Sequence, residues 1–249
     1  MQIICYSGIK GGVAKSSMAI LTANYLMALG YKVLCIDLDI QNSLTFYYFP
    51  ELAESNKNIS VALTNNDIKS NIISQSSVNI IPSSLNLVNL RTINIKTLSR
   101  LRSQIENNFD FVIVDTAPTF DNIVLNALCF SDYIITPTYL SLFDYKAVEF
   151  YKTQIEIETD KINNWKILLN KYKEPKTDNS ESELNQYINL FHNNFNNIMQ
   201  TKIYETSYIQ KAIDTKIHIT KAKAKEKLYH CISSLIKELL NIQEEPEQF

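Results

Sequence analysis

Glycine is scarce in this sequence, with only 4 copies in 249 residues, and three of them, Gly8, Gly11 and Gly12, lie close together. Because glycine permits backbone conformations and close approaches that other residues resist, this clustering marks one segment as a loop of special geometry. The remaining composition is that of a globular protein, with 45% hydrophobic and 20% charged residues. These values exclude a wholly disordered chain.

Cysteine and histidine are too scattered to indicate a zinc site. The 4 cysteines form no Cys-x-x-Cys pair, the 3 histidines have no ligand spacing, and we expect reduced thiols. A net charge of −2 excludes a polycation that coats nucleic acid by charge alone. No hydrophobic run approaches the roughly 20 residues of a membrane span. Since the first hydrophobic run follows Met1 almost at once, we expect no signal peptide and a cytoplasmic protein.

Hydrophobic runs alternate with stretches of helical length, which predicts an α/β fold with a mostly parallel, doubly wound sheet and helices on both faces. We expect a single domain over 1–249, an irregular polar stretch over 50–77 and an acidic tail over about 243–249. Strands are predicted near 2–6, 32–37, 78–81, 110–115, 133–137 and 165–170. After the helix that ends near Gly30, further helices are predicted near 97–107, 121–130, 144–159, 183–199 and 221–241.

A glycine-containing loop with two lysines joins the first predicted strand to the first predicted helix. The order strand, glycine loop, Lys-Ser and helix is typical of a phosphate-binding loop, or P-loop, in which backbone N–H groups and the positive helix end surround nucleotide phosphates. We expect Lys15 to contact the outer phosphates and the Ser16 hydroxyl to ligate Mg²⁺. The residues expected to bind the nucleotide here are Gly11, Gly12, Val13, Ala14, Lys15, Ser16 and Ser17.

Three aspartates follow predicted buried strands. Asp37 ends the second strand, Asp115 ends the strand near 110–115, and Asp39 follows Asp37 by two residues. Ligands of such folds bind beyond the carboxyl ends of the strands, so Asp37 and Asp115 are predicted to face the same crevice as the loop. An aspartate at a strand end can instead cap the next turn, but its place after a phosphate-binding loop favours a functional role.

Lys10 and Lys15 complete the pattern KGGxxK[ST], and by this pattern the chain resembles the ParA/MinD family of deviant Walker A P-loop ATPases. It looks like a ParA-type partition ATPase of the short form, without an N-terminal helix-turn-helix extension. The segment over 37–41, DLDIQ, is similar to the family's DxDPQ, and DTAP over 115–118 is similar to its Walker B segment. One difference lies inside the loop, where Ala14 replaces the family's usual glycine.

The resemblance implies ATP and Mg²⁺ as cofactors and a slow ATPase reaction with Lys10, Lys15 and Asp39 as its catalytic residues. In the family, the residue equivalent to Lys10 reaches across a dimer interface to the partner's phosphates. Asp39 would activate the attacking water, whereas Asp37 and Asp115 would support Mg²⁺ together with Ser16. Asn170 matches a position that contacts adenine, although an amide at this point can equally cap a turn.

The resemblance also implies a cycle in which ATP drives homodimerisation, the dimer binds DNA nonspecifically, and a ParB-type partner stimulates hydrolysis. Such a nucleoid-associated protein would segregate a plasmid or chromosome. Near the C-terminus, lysines stand at every second position and cannot all share one helical face, so a DNA-binding patch formed by them would be diffuse. The alternative to DNA binding is that these lysines only form a solvated surface. Glu205 stands where the family has a basic residue. The candidate DNA-binding residues are Lys216, Lys221, Lys223, Lys225 and Lys227.

Two other functions stay open. A MinD-like ATPase that cycles on membranes needs a terminal amphipathic helix with basic residues, but here the hydrophobic stretch over 235–240 is followed by an acidic tail. We therefore expect no stable membrane association. A nucleotide-dependent scaffold switch with negligible hydrolysis is the second alternative, and Ala14 and Glu205 are the residues that favour it.

Overall fold

The computed structural model describes residues 1–52, 55–174, 183–205, 208–214 and 223–240. Within them, eight strands form one sheet in the order β3-β4-β2-β5-β1-β6-β7-β8. The β3–β4 pair is antiparallel, and the other pairs are parallel. The strands are β1 Gln2–Tyr6, β2 Val33–Leu38, β3 Ile73–Gln75, β4 Val78–Ile81, β5 Phe111–Thr116, β6 Tyr133–Thr138, β7 Trp165–Tyr172 and β8 Ile203–Tyr204.

Helices surround this sheet, and among the described residues each of them is too short or too polar to cross a membrane. The six predicted strands are confirmed to within about two residues. The α-helices are α1 Lys15–Ala28, α2 Ser43–Tyr48, α3 Ile59–Asn65, α4 Thr97–Arg100, α5 Asn122–Phe130, α6 Leu142–Glu158, α7 Glu183–Asn194, α8 Tyr208–Asp214 and α9 Lys223–Leu240.

Three local predictions were wrong. The stretch over 50–77 contains α3, because the Asn58 side chain accepts the Val61 N–H and caps a helix. The helix predicted over 97–107 ends at Arg100 and continues as a 3₁₀ turn, in which the guanidinium of Arg102 binds both oxygens of Asp132. The helix predicted over 183–199 ends at Asn194, since the chain beyond it pairs with β7.

Side chains of the central strands alternate between two hydrophobic clusters, as the pleat requires. In β1, Ile3 and Cys5 join a cluster with side chains of α3 to α7, whereas Ile4 and Tyr6 join a second cluster with side chains of α1, α2 and α9. The sheet is therefore covered on both faces, which confirms the predicted doubly wound α/β architecture.

The register of the central strands brings the predicted site residues together. Tyr6 at the end of β1 pairs with Asp115 of β5, and Asp115 pairs on its other side with Asp37 of β2. Since these strands are parallel, the loops after β1, β2, β5 and β6 all leave the same edge of the sheet. The predicted phosphate-binding loop is one of them.

Candidate nucleotide-binding site

A cavity of about 600 Å³ lies at this edge of the sheet, a volume within the usual range for small-molecule sites. Val13 of the loop is buried, and Asp37 and Asp115 are fully buried at the strand ends. The predicted site residues that line the cavity are Gly11, Gly12, Ala14, Lys15, Ser16, Ser17, Asp39 and Asn170.

The loop reaches helix α1 through two left-handed residues, Gly12 with φ 76° and Ala14 with φ 75° and ψ 32°. Glycine adopts this conformation readily, whereas an alanine there costs roughly 1–2 kcal/mol. Ala14 makes no side-chain cap, and the first turn of α1 contains no acidic residue. The first backbone N–H groups of α1 are therefore left for a ligand, and a helix N-terminus favours an anion.

Lys15 places its ammonium group inside the loop. Its Nζ donates a hydrogen bond to the Lys10 carbonyl oxygen at 2.9 Å, and the side chain is only 6% exposed. Burial lowers the pKa of Lys15, while the nearby carboxylates of Asp115 and Asp39 act in the opposite direction. The loop thus encloses a cation with negative charge close to it.

Asp37 is held by the protein itself. Its Oδ2 accepts the Thr45 N–H at 2.8 Å and the Thr45 hydroxyl at 2.7 Å, and its Oδ1 accepts the Asp39 N–H at 3.1 Å. Burial raises the pKa of Asp37 to about 6, and Asp39 adds to this shift. Because both of its oxygens already accept hydrogen bonds from the protein, this geometry favours a role in which Asp37 contacts a bound cation through water rather than directly.

Asp115 differs, because neither of its buried carboxylate oxygens has a hydrogen-bond partner among the described residues. Burial is the main reason that the pKa of Asp115 lies well above its ordinary value, and the charge of Asp37 raises it further. Neighbouring Ser16 and Lys15 lower it. A buried carboxylate without a partner is costly, so the site fits a cation beside Asp115 and Ser16. The described residues hold no cluster of three His, Cys, Asp or Glu side chains that could bind a metal ion. Mg²⁺ usually keeps several water molecules and binds only one or two carboxylates together with phosphates.

The remaining two predicted catalytic residues lie on either side of the loop. Asp39 is 7% exposed, and its Oδ1 accepts the Gln41 N–H at 2.9 Å. Lys10, by contrast, points to its own chain, where its Nζ lies 2.6 Å from Oδ1 of Asp144 in α6. The Asp144 side chain is 3% exposed and is also hydrogen-bonded to the Ser141 hydroxyl.

Both polar atoms of the Asn170 side-chain amide form hydrogen bonds with the backbone. Its Nδ2 donates to the Val13 carbonyl oxygen at 3.0 Å, and its Oδ1 accepts the Lys171 N–H at 2.8 Å. These contacts favour the turn-capping interpretation, and adenine recognition stays a prediction. Of the candidate DNA-binding lysines, Lys216 and Lys221 lie outside the described residues. Lys223, Lys225 and Lys227 lie in the first two turns of α9.

Sequence reasoning missed Asp144 and Tyr139. The Tyr139 hydroxyl donates to the Gly12 carbonyl oxygen at 2.6 Å, a contact across 127 positions of sequence. Ser141 and Asp144 have the spacing of a helix N-cap, in which the Asp144 N–H donates to the Ser141 hydroxyl. That spacing predicts the start of a helix but does not indicate that Lys10 pairs with it.

Comparison of the sequence with known proteins identifies relatives of part of this chain. The sequence profile of a family described as AAA domain matches residues 1–167. An uncharacterized protein of Methanocaldococcus jannaschii is 32% identical over 63% of this chain and 66% of its own length. The sporulation initiation inhibitor protein Soj of Bacillus subtilis is 28% identical over 55% of this chain and 57% of its own length. The chain thus spans less than two thirds of these two curated relatives.

A solved structure resembles nearly the whole chain. A putative plasmid partition protein of Borrelia burgdorferi, bound to AMPPNP, has 25% sequence identity and a TM-score of 0.75. The similarity covers 95% of this chain and 98% of that protein.

Proposed function

This chain belongs to the AAA domain family and is a ParA-type P-loop ATPase, and from this premise we propose that it is an ATP-dependent DNA partition protein. It binds ATP and Mg²⁺, dimerises, binds DNA nonspecifically and is reset when a ParB-type partner stimulates hydrolysis. The observation that carries this proposal is a cavity lined by the phosphate-binding loop, Lys15 and Asp39, with Asp37 and Asp115 buried at the ends of two adjacent strands.

The residues of the crevice suit phosphoryl transfer to water, a reaction that depends on positioning and on neutralising charge. The loop N–H groups and Lys15 hold the phosphates, and Asp39 orients the attacking water. Ser16 and Asp115 hold Mg²⁺, which neutralises phosphate charge when bound. Asp37 keeps its hydrogen bonds to Thr45 and supports the water around the cation.

The dimer and DNA steps rest on Lys10 and on the lysines at the start of α9. The Lys10 side chain is 37% exposed, so its ammonium group is accessible to a second chain if that chain displaces it from Asp144. Lys223, Lys225 and Lys227 add positive charge to one end of α9, and lysine contacts with phosphates are sequence-independent and sensitive to salt.

The cycle predicts nucleotide-dependent DNA binding. We expect a mobility shift of unrelated duplex DNA with ATP or a slowly hydrolysed analogue, a weaker shift with ADP, and loss of binding as salt rises. The K15A variant, unable to hold the nucleotide, serves as the control. A shift that is equal with and without nucleotide would contradict the cycle, and the absence of stimulated ATP turnover despite tight ATP binding would favour the scaffold switch.

The Lys10–Asp144 ion pair predicts that D144N promotes dimerisation. The substitution removes the charge that keeps Lys10 on its own chain, so the ATP-bound dimer should form at roughly two- to fivefold lower protein concentration, as expected for a partly exposed pair. Light scattering across a protein dilution series with a slowly hydrolysed analogue measures this. The matched control is E149Q, which removes the Lys146–Glu149 ion pair from the same helix. A D144N protein that dimerises like E149Q would show that the pair does not oppose dimerisation.

A further inference from the structure

The phosphate-binding loop of this chain contains a backbone conformation that its sequence disfavours. Ala14 lies in the left-handed region with φ 75° and ψ 32°, directly before the first residue of α1. Its Cβ makes this conformation strained. Neighbouring interactions must therefore stabilise the loop in the shape that phosphates require.

Two side chains from distant parts of the chain supply such interactions. The Tyr139 hydroxyl, one residue beyond β6, donates to the Gly12 carbonyl oxygen at 2.6 Å. The Asn170 amide, from β7, donates to the Val13 carbonyl oxygen at 3.0 Å. These are the carbonyl groups of the two peptide bonds that lead into Ala14.

The geometry of a peptide bond explains why holding these carbonyls matters. In a planar trans peptide the C=O and the following N–H point in opposite directions. Fixing the Gly12 carbonyl therefore fixes the Val13 N–H, and fixing the Val13 carbonyl fixes the Ala14 N–H. Loop N–H groups are the donors by which such a loop binds phosphate.

The two donors are themselves connected. The Lys171 ammonium lies 5.0 Å from the centre of the Tyr139 ring, and the Lys171 N–H donates to Asn170 Oδ1. Lys171 is also left-handed, with φ 49°. Strained residues cluster where the surrounding structure imposes a functional geometry. We call Tyr139, Asn170 and Lys171 the loop brace.

We infer that the loop brace is a set of positioning residues that holds the P-loop in its phosphate-binding shape and offsets the strain at Ala14. The inference rests on the proposed nucleotide site and assigns these side chains to it. It requires that loss of the Tyr139 hydroxyl weakens nucleotide binding more when residue 14 is alanine than when it is glycine. Glycine adopts the left-handed conformation without strain.

A double-mutant cycle tests this requirement. The dissociation constant of a slowly hydrolysed ATP analogue is measured by calorimetry for the wild type, Y139F, A14G and Y139F/A14G. We expect Y139F to weaken binding about fivefold in the wild-type background, as for loss of one hydrogen bond, and less than about twofold in the A14G background. N170A, which removes the other donor, should show the same dependence on A14G and replaces Y139F if that variant does not fold.

The controls separate positioning from general stability. Y187F removes a tyrosine hydroxyl bond to Glu183 in α7, away from the cavity, and should leave affinity unchanged in both backgrounds. Thermal unfolding without nucleotide should be similar for Y139F and Y187F. Equal losses of affinity for Y139F in both backgrounds would overturn the inference while leaving the proposed function intact. Failure of the wild type to bind the analogue would instead overturn the proposed function.

Discussion

The K15A variant is expected to lose at least about 100-fold in affinity for ATP. A hydrogen bond to a charged group contributes about 1.5–3 kcal/mol, which corresponds to roughly 10- to 100-fold in affinity. The loss here lies at or beyond the upper limit, because Lys15 is the buried cation between the loop and the carboxylates of Asp39 and Asp115. Without it, the triphosphate meets uncompensated negative charge.

The substitution also removes the bond from Lys15 Nζ to the Lys10 carbonyl oxygen, so a control for local stability is needed. Lys161 offers one, since its Nζ donates to the Ser131 carbonyl oxygen at 3.1 Å, outside the cavity. K161A should unfold at a temperature similar to that of K15A and bind ATP like the wild type. Calorimetric titration measures both affinities. Near-normal ATP binding by K15A would mean that Lys15 does not contact the phosphates.

The charges of the crevice favour binding of the nucleotide together with a divalent cation. Asp37, Asp39 and Asp115 lie at adjacent strand ends, where burial, with a further contribution from the neighbouring carboxylates, raises the pKa values of Asp37 and Asp115. A nucleotide without a cation would add further negative charge. A divalent cation at Asp115 relieves both sources of repulsion, so binding of ATP and Mg²⁺ should be strongly cooperative.

The same principle applies to Lys10. In the single chain its ammonium is satisfied by Asp144, so its charge is not directed at the phosphates in the cavity of its own subunit. A second chain that presents its own bound phosphates would compete with Asp144 for Lys10. Dimerisation then depends on the nucleotide, because only the bound phosphates provide a competing anion.

The fold and the composition of the site could be predicted because they depend on local patterns. A hydrophobic run followed by Asp37 or Asp115 is visible in sequence, and parallel pairing places such residues at one edge. The partners of Lys10 and Gly12 could not be predicted in this way. Asp144 and Tyr139 come from the chain that follows β6, more than 120 positions away, and their directions depend on how α6 packs.

Asn170 is a further residue whose contact partner could not be predicted from the sequence. The sequence places it at the end of a buried strand, whereas β7 continues to Tyr172, and its residue type permits contact with a base or with the backbone. The packing of β7 beside the loop, which the sequence does not reveal, brings the amide to the Val13 carbonyl oxygen. A residue's position is thus easier to predict than its partner.

The D39N variant is expected to bind ATP but to hydrolyse it about 10²- to 10⁴-fold more slowly, the usual range for loss of a general base or water-orienting group. Asparagine keeps the size of the side chain and the oxygen that accepts the Gln41 N–H, so the turn after β2 is retained. Only the negative charge and the second acceptor oxygen change. Phosphate release under saturating ATP and Mg²⁺ measures the rate.

Affinity should change in the opposite direction to the rate. Removing one of three carboxylates near the phosphates reduces repulsion, so D39N should bind ATP as tightly as the wild type or more tightly. The control is D67N, since Asp67 Oδ1 also accepts a backbone N–H, from Ser70, at a site far from the cavity. D67N should retain normal turnover. At saturating ATP, weaker binding alone cannot slow turnover. Slow turnover with tight binding would therefore assign water activation to Asp39, whereas normal turnover of D39N would assign it to another group.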